Sequence, residues 1–286
     1  MAEVATFAMS DQLLVVIDPV ARRTDGESVR IAKDVLSAGA ATKVCLPDDP
    51  EEFARALIRR GSRRPVVVGD DRALTRAVTL LHRQRELAEC LLSVVPVGAA
   101  LSLAESLGVP TGAVAAARAV LDGVERRLDL LVDDSDGVVL GGLRIPPIRD
   151  PAAPDGATAV GPGAGRPWLR TCQSLVRTLV PARGTSPAPS GPSRLRVEVD
   201  GATLVDLDQP VEAVSVTPGV AGVAAVEVRA ASVGAEASPL RAEGRTVTVS
   251  GAHFRYRADT EVSGPVRTRT WVVREGAWGL TVPGAG

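Results

Sequence analysis

"VVVGDDRALTRAV", Val66–Val78, is the stretch on which the fold turns. A run of valines stops at Gly69, two aspartates follow, and a helical pattern begins at once. A short apolar run that stops at glycine and gives way to a helix is the corner from which βαβ units are built. It is also the layout of a phosphate-binding turn, in which backbone amides at a helix N-terminus face an anion. Inside, however, the turn carries Asp70 and Arg72 where such a loop wants glycine. Three readings are open: a nucleotide site, the remains of one, or an ordinary strand-to-helix corner.

Outward from this corner the first half of the chain repeats the pattern. "QLLVVID", Gln12 to Asp18, is a buried strand, and "ESVRIAKDVLSAG" is a helix stopped by Gly39. "TKVCLP" and "DPEEFARALIRRG" are the second strand and helix, with Asp49 as N-cap and Pro50 in the first turn. After "PVVVGD" the spacing predicts a helix over Arg72 to Leu87, then a strand in "CLLSVVPVG" and helices over Ala99 to Leu107 and Gly112 to Asp122. Strands alternating with crossover helices imply a parallel sheet with helices on both faces, and ligands beyond the carboxyl ends of its strands. Those ends are Asp18, Gly69-Asp70-Asp71 and Pro96-Val97-Gly98.

The remainder changes character twice. Ten of the 21 prolines fall between Pro146 and Pro192, flanking a helical pattern from Trp168 to Leu179. Beyond it, "RLRVEVDGATLVDLD" alternates about Asp200-Gly201 as a hairpin, and six further short strand patterns follow, among them "HFRYRAD", "VRTRTWVVRE" and "WGLTVP". The expected architecture is an α/β, parallel-sheet nucleotide-binding-type domain at 1–145, a Pro/Gly-rich connection with one helix at 146–193, and an antiparallel β-sandwich at 194–286. The site is expected in a cleft between the two domains.

Composition narrows the function classes. The chain has 286 residues, 45% hydrophobic and 23% charged, with a net charge of -1. It can bury a substantial core but offers no basic field for nucleic acid. The three cysteines, Cys45, Cys90 and Cys172, have no metal-ligand spacing and read as buried apolar residues of a reducing compartment, and His82 as a surface histidine. No apolar run is long enough to span a bilayer, so a cytoplasmic protein is expected. Abundant arginine and alanine with almost no lysine suggest a GC-rich bacterial genome.

The order of these pieces resembles the soluble lipid kinases of the diacylglycerol kinase and sphingosine kinase catalytic family. That family places Asn-Pro-x-Ser-Gly after its first strand, Gly-Gly-Asp-Gly-Thr after its third and Pro-Leu-Gly-Thr-Gly-Asn-Asp-Phe-Ala after its fourth. The matching stretches are "VVIDPVARR", "VVVGDDRALTRAV" and "SVVPVGAALSLAESLGVP", and "RYRADTEVSGPVRTRTWVVREGAWGLTVP" is similar to the Asp-Gly-Glu turn and closing strands. The resemblance implies the two-domain fold and ATP-dependent phosphoryl transfer to a lipid hydroxyl at a membrane surface, with Mg²⁺ as cofactor. It implies nucleotide contacts at Asp18, Gly69, Asp70, Asp71, Arg72 and Gly98, and a catalytic role for Asp259, as base, and Glu261.

The departures fall on the chemistry. In the third-strand loop the second glycine is Asp70, the third Arg72 and the threonine Ala73; in the fourth-strand loop Thr-Gly-Asn-Asp-Phe is Ala99 to Leu103. In the first loop the asparagine is Asp18 and the Ser-Gly pair is Ala21-Arg22. A carboxylate at position 70 repels a triphosphate, and each lost polar contact costs about 1 to 3 kcal/mol of binding. The acidic turn that helps hold the metal in bacterial relatives is not visible in "VTPGVAGVAAVEVRAA". The sequence therefore supports a lipid kinase with a divergent loop and, in preference, a pseudokinase kept as a binding or regulatory module. A third reading is an uncharged ligand lined by Ala99 to Leu103. Which lipid is bound, and any oligomeric state, have no signature in the chain.

Overall fold

In a computed structural model the described residues are 12–147, 192–231 and 238–284. The helical pattern Trp168 to Leu179 and Cys172 lie outside them.

The first half builds the α/β part. Strands β1 (Leu13–Ile17), β2 (Thr42–Cys45), β3 (Arg64–Gly69) and β4 (Leu91–Pro96) pair in the order β4-β3-β1-β2, every pairing parallel. Between them run α1 (Pro19–Thr24), α2 (Gly26–Gly39), α3 (Pro50–Ile58) and α4 (Asp71–Arg83); α5 (Ser102–Ser106) and α6 (Ala113–Asp122) follow. Because alternate strand residues point to opposite faces, β1 feeds two cores. Leu13, Val15 and Ile17 pack with Val29, Ala32 and Leu36 of α2 and Ala116 and Val120 of α6. Leu14 and Val16 pack with Phe53 and Leu57 of α3 and Leu74, Ala77 and Leu81 of α4.

Two helix boundaries differ from expectation. The helix expected over Arg72 to Leu87 ends at Arg83, and Arg85 is left-handed with φ 60°. The helix expected over Ala99 to Leu107 is only the short α5, because the 98–101 loop is used to receive α4: Asp71 N donates to Ala100 O at 2.9 Å.

The second half is antiparallel within itself. β5 (Val124–Asp133), β6 (Val138–Val139) and β7 (Leu143–Ile145) lead to β8 (Ser193–Val199), β9 (Ala202–Val205), β10 (Pro210–Pro218), β11 (Ala224–Ala230), β12 (Leu240–Gly244), β13 (Thr246–Ala258) and β14 (Glu261–Val282). The Asp200-Gly201 hairpin forms, with both residues at positive φ (49° and 82°), as a two-residue turn between right-twisted strands requires. "RTVTVSG" and "HFRYRAD" are one strand, β13, and "VRTRTWVVRE" and "WGLTVP" are one 22-residue strand, β14. The expected break at Glu275-Gly276 is a bulge instead: the register shifts between Arg274 and Trp278, Gly276 sits at φ 53°, and its N–H donates to Asp129 Oδ1 at 2.7 Å.

That bulge lets β14 serve both halves. Trp271 lies in the core of the antiparallel strands, whereas Trp278 and Leu280 lie in the core beneath α3 and α4. At its end β14 pairs parallel with β4 through Gly279 and Leu280, and Ser93 Oγ donates to Thr281 Oγ1 at 2.8 Å across the join. The strands therefore form one connected sheet system, and the described residues belong to one compact unit.

Candidate functional site

The β3–α4 turn is built around its own carboxylates. Asp70 is the N-cap of α4: its Oδ1 accepts from the amides of both Arg72 and Ala73 at 3.1 Å. Those amides are the unsatisfied donors that a helix N-terminus would offer to an anion. Asp71, fully buried, turns the other way. Its Oδ2 accepts from Leu103 N at 2.9 Å and Ser102 Oγ at 3.3 Å, and its Oδ1 from Ala104 N at 3.1 Å, which ties the loop after β4 to the start of α4. Arg72 is exposed.

Gly69 is required here by close approach. A Cβ on it would stand 2.7 Å from Ala73 Cβ and 2.9 Å from Asp18 Cβ. Gly98 holds φ 131°, a conformation that L side chains rarely adopt, and a Cβ there would meet Asp70 Cβ at 3.2 Å. Asp18 is buried at the end of β1, where it caps α1 through Val20 N at 3.0 Å and receives Arg76 Nη1 at 3.0 Å. The Arg76 guanidinium also lies over the Phe53 ring, 5.6 Å from its centroid. The six residues expected at the strand ends are thus gathered in space, and the carboxylates of Asp18, Asp70 and Asp71 bond to nearby backbone amides and to the Arg76 and Ser102 side chains.

Asp259 occupies the β13–β14 turn at φ 47°. Its Oδ1 accepts from Gly141 N at 2.7 Å and Gly142 N at 3.0 Å, and its Oδ2 from Leu140 N at 2.8 Å. Burial pushes its carboxyl above the usual aspartate range, against the pull of the three amides, and the charge of Asp71 pushes the same way. Asp259 and Asp71 line one cavity of about 360 Å³, with Ser102, Arg144, Arg257 and Thr260. Glu261 is exposed and lines a different cavity of about 690 Å³, with Arg76, Asp133, Tyr256 and Arg269. The two carboxylates expected to act together therefore face different spaces.

Sequence reasoning missed the Leu140–Gly142 amides and the arginines. The consecutive glycines Gly141 and Gly142 were a usable signal, and so was Arg144 between two apolar residues in "LRI". Among the described residues no group of three or more His, Cys, Asp or Glu is gathered to hold a metal ion. His82 Nε2 lies 2.9 Å from Asp136 Oδ1, Cys45 and Cys90 carry free thiols, and no described helix is long and apolar enough to cross a membrane.

A candidate diacylglycerol kinase from Bacillus anthracis str. Sterne superposes with a TM-score of 0.68 over 96% of this chain and 98% of its own, at 13% identity. The chain has the diacylglycerol kinase fold. A second solved structure of a diacylglycerol kinase from that organism matches with a TM-score of 0.66 at 12% identity, covering 96% of this chain and 97% of the other. No family profile and no curated protein sequence matches this chain.

Proposed function

We propose that this protein is a pseudokinase: a cytoplasmic binding or regulatory module on a diacylglycerol kinase fold, descended from an enzyme that phosphorylated a lipid hydroxyl at a membrane surface. One observation carries the reading. The Asp70 carboxylate bonds to the amides of Arg72 and Ala73, the donors a triphosphate would need, and adds a negative charge at that point. The groups that could hold Mg²⁺ do not fit it either, since the Asp71 oxygens are committed to Leu103 and Ala104 amides.

Calorimetric titration of the full chain with Mg·ATP tests this. The expected result is no saturable heat and no rise in melting temperature; a micromolar Kd, with the stabilisation that ligand linkage demands, overturns it.

A second reading, an ATP-dependent lipid kinase with a divergent loop, draws support from Asp259. Among the described residues its Oδ2 accepts one amide bond, which leaves a lone pair to take a proton from a hydroxyl in the cavity it shares with Asp71. This reading predicts radiolabel transfer from ATP to diacylglycerol vesicles that disappears in Asp259→Asn.

A further inference from the structure

The larger cavity, of about 690 Å³, is a groove between a helix and a strand edge. One wall is a single face of α4, on which Thr75, Arg76, Thr79, Leu80 and Arg83 follow at helical spacing. The other wall is the start of β14. Among the described residues, Glu261–Thr270 pairs only with β13, and β5 joins the free side of the strand at Trp271. The β5–β6 turn lines the same cavity through Asp133 and Ser135, so β14 turns an unpaired edge toward it. The two walls run in the same direction. Asp71 opens α4 and shares the smaller cavity with Asp259, two residues before Glu261, which places Glu261 beside the first turns of the helix. At the far end, next to Arg83, His82 Nε2 lies 2.9 Å from Asp136 Oδ1 of the β5–β6 turn. From Thr75 to Arg83 the helix rises about 12 Å, at about 1.5 Å per residue.

The charges along this groove are paired except at its two ends. Arg76 Nη1 donates to Asp18 at 3.0 Å, and Arg269 is held by Asp134 and lies 3.9 Å from Asp133. Tyr256 donates its hydroxyl to Asp133 at 3.3 Å. Glu261 and Arg83, by contrast, are exposed, and among the described residues no hydrogen bond or ion pair engages either side chain. Between them Leu80, Val138 and Val262 supply apolar surface, with Val262 48% exposed. The groove thus offers a free carboxylate near one end, a free guanidinium at the other and an open strand edge between.

We infer that this groove binds a short free peptide in an extended conformation, with its amine at Glu261 and its carboxylate at Arg83. An extended chain advances about 3.4 Å per residue, so three or four residues span the distance between the two charges. The open edge of β14 supplies main-chain hydrogen bonds, as when a peptide is added to the edge of a sheet. The guanidinium fork matches a terminal carboxylate in shape as well as charge. A single amino acid is too short to reach both ends, and an internal segment of a protein carries no terminal charges. The inference goes beyond the pseudokinase reading, because this groove is separate from the α4 amides that Asp70 caps.

The experiment titrates the full chain calorimetrically with tetra-alanine, with its N-acetylated and C-amidated forms, and with free alanine. The expected result is saturable binding of tetra-alanine, at least tenfold weaker once either end is capped, and no binding of alanine. Arg83→Gln and Glu261→Gln, both at exposed positions, should each weaken tetra-alanine binding about tenfold without lowering the melting temperature. The cycle between protein and peptide assigns the ends: amidating the carboxylate should cost nothing further in Arg83→Gln, and acetylating the amine nothing further in Glu261→Gln. Absence of tetra-alanine binding, equal binding of a fully capped peptide or of alanine, or a capping cost that persists unchanged in the matching variant overturns the inference. Mg·ATP binding overturns the pseudokinase reading alone, so the two failures are distinguishable.

Discussion

The β3–α4 turn and the β13–β14 turn solve the same problem in opposite ways. In each, a carboxylate sits on backbone amides that would otherwise lack partners. Asp70 takes amides only two and three residues ahead, so its turn closes on itself and its contribution is local. Asp259 takes amides 117 to 119 residues away, so its turn stitches the β13–β14 corner to the segment between β6 and β7. A local cap can be traded for another anion at little cost to the fold. A long-range stitch that is also desolvated cannot. The difference teaches that an acidic residue in a turn can be held in place for purely structural reasons.

Five measurements sharpen or break this contrast. Asp259→Ala should be the most damaging, because it leaves three amides unpaired and puts a Cβ-bearing residue without a compensating side chain at positive φ. A loss of about 3 kcal/mol in denaturant unfolding is expected, and Asp259→Asn, which tolerates that backbone, should lose less. Gly69→Ala should cost about 2 kcal/mol by overpacking against Ala73 and Asp18. If unfolding shows no loss, the close approach assigned to Gly69 is wrong.

Asp70→Ala should cost only about 1 kcal/mol, as for other N-caps. The combination Asp70→Gly, Arg72→Gly and Ala73→Thr should free the α4 amides and strengthen Mg·ATP binding; unchanged calorimetry would break the match between this turn and a phosphate loop.

The smallest effect is the pH dependence of Asp259. Its folded pKa is raised, chiefly by burial, so the folded state binds the proton more tightly than the unfolded chain does. Its contribution is fully present below the ordinary aspartate pKa and is lost as pH rises through the raised folded value. Melting temperatures of the wild type should therefore fall relative to Asp259→Asn across that acidic interval, and a change of opposite sign would remove burial as the dominant influence.

Much of the fold was legible because it depends on local periodicity. The valine run of β3, the helical spacing of α2 and α4, the Asp49-Pro50 start of α3 and the Asp200-Gly201 turn each carry their own instruction in neighbouring residues. The ends of α4 and α5 were not legible, since they depend on where the 98–101 loop docks. The candidate site was partly legible. The strand ends named Asp18, Gly69, Asp71 and Gly98 as neighbours, but not what their side chains bond to. Arg76, the partner of Asp18, is one arginine among many in an arginine-rich chain, and nothing local distinguishes it.

By itself, then, the sequence determined the elements, the order of the α/β and β segments and the positions of the altered loops, because propensity and alternation act over a few residues. The tertiary structure alone decided that β14 runs unbroken through a bulge from one core into the other and pairs with β4. It alone decided that Asp70 turns onto its own helix while Asp71 turns away from it, and that Arg144 of β7 stands opposite Arg257 of β13 in register. Apart from the local Asp70 cap, each of these is a choice of partner across a long separation in sequence, settled by register and burial, which no local pattern encodes.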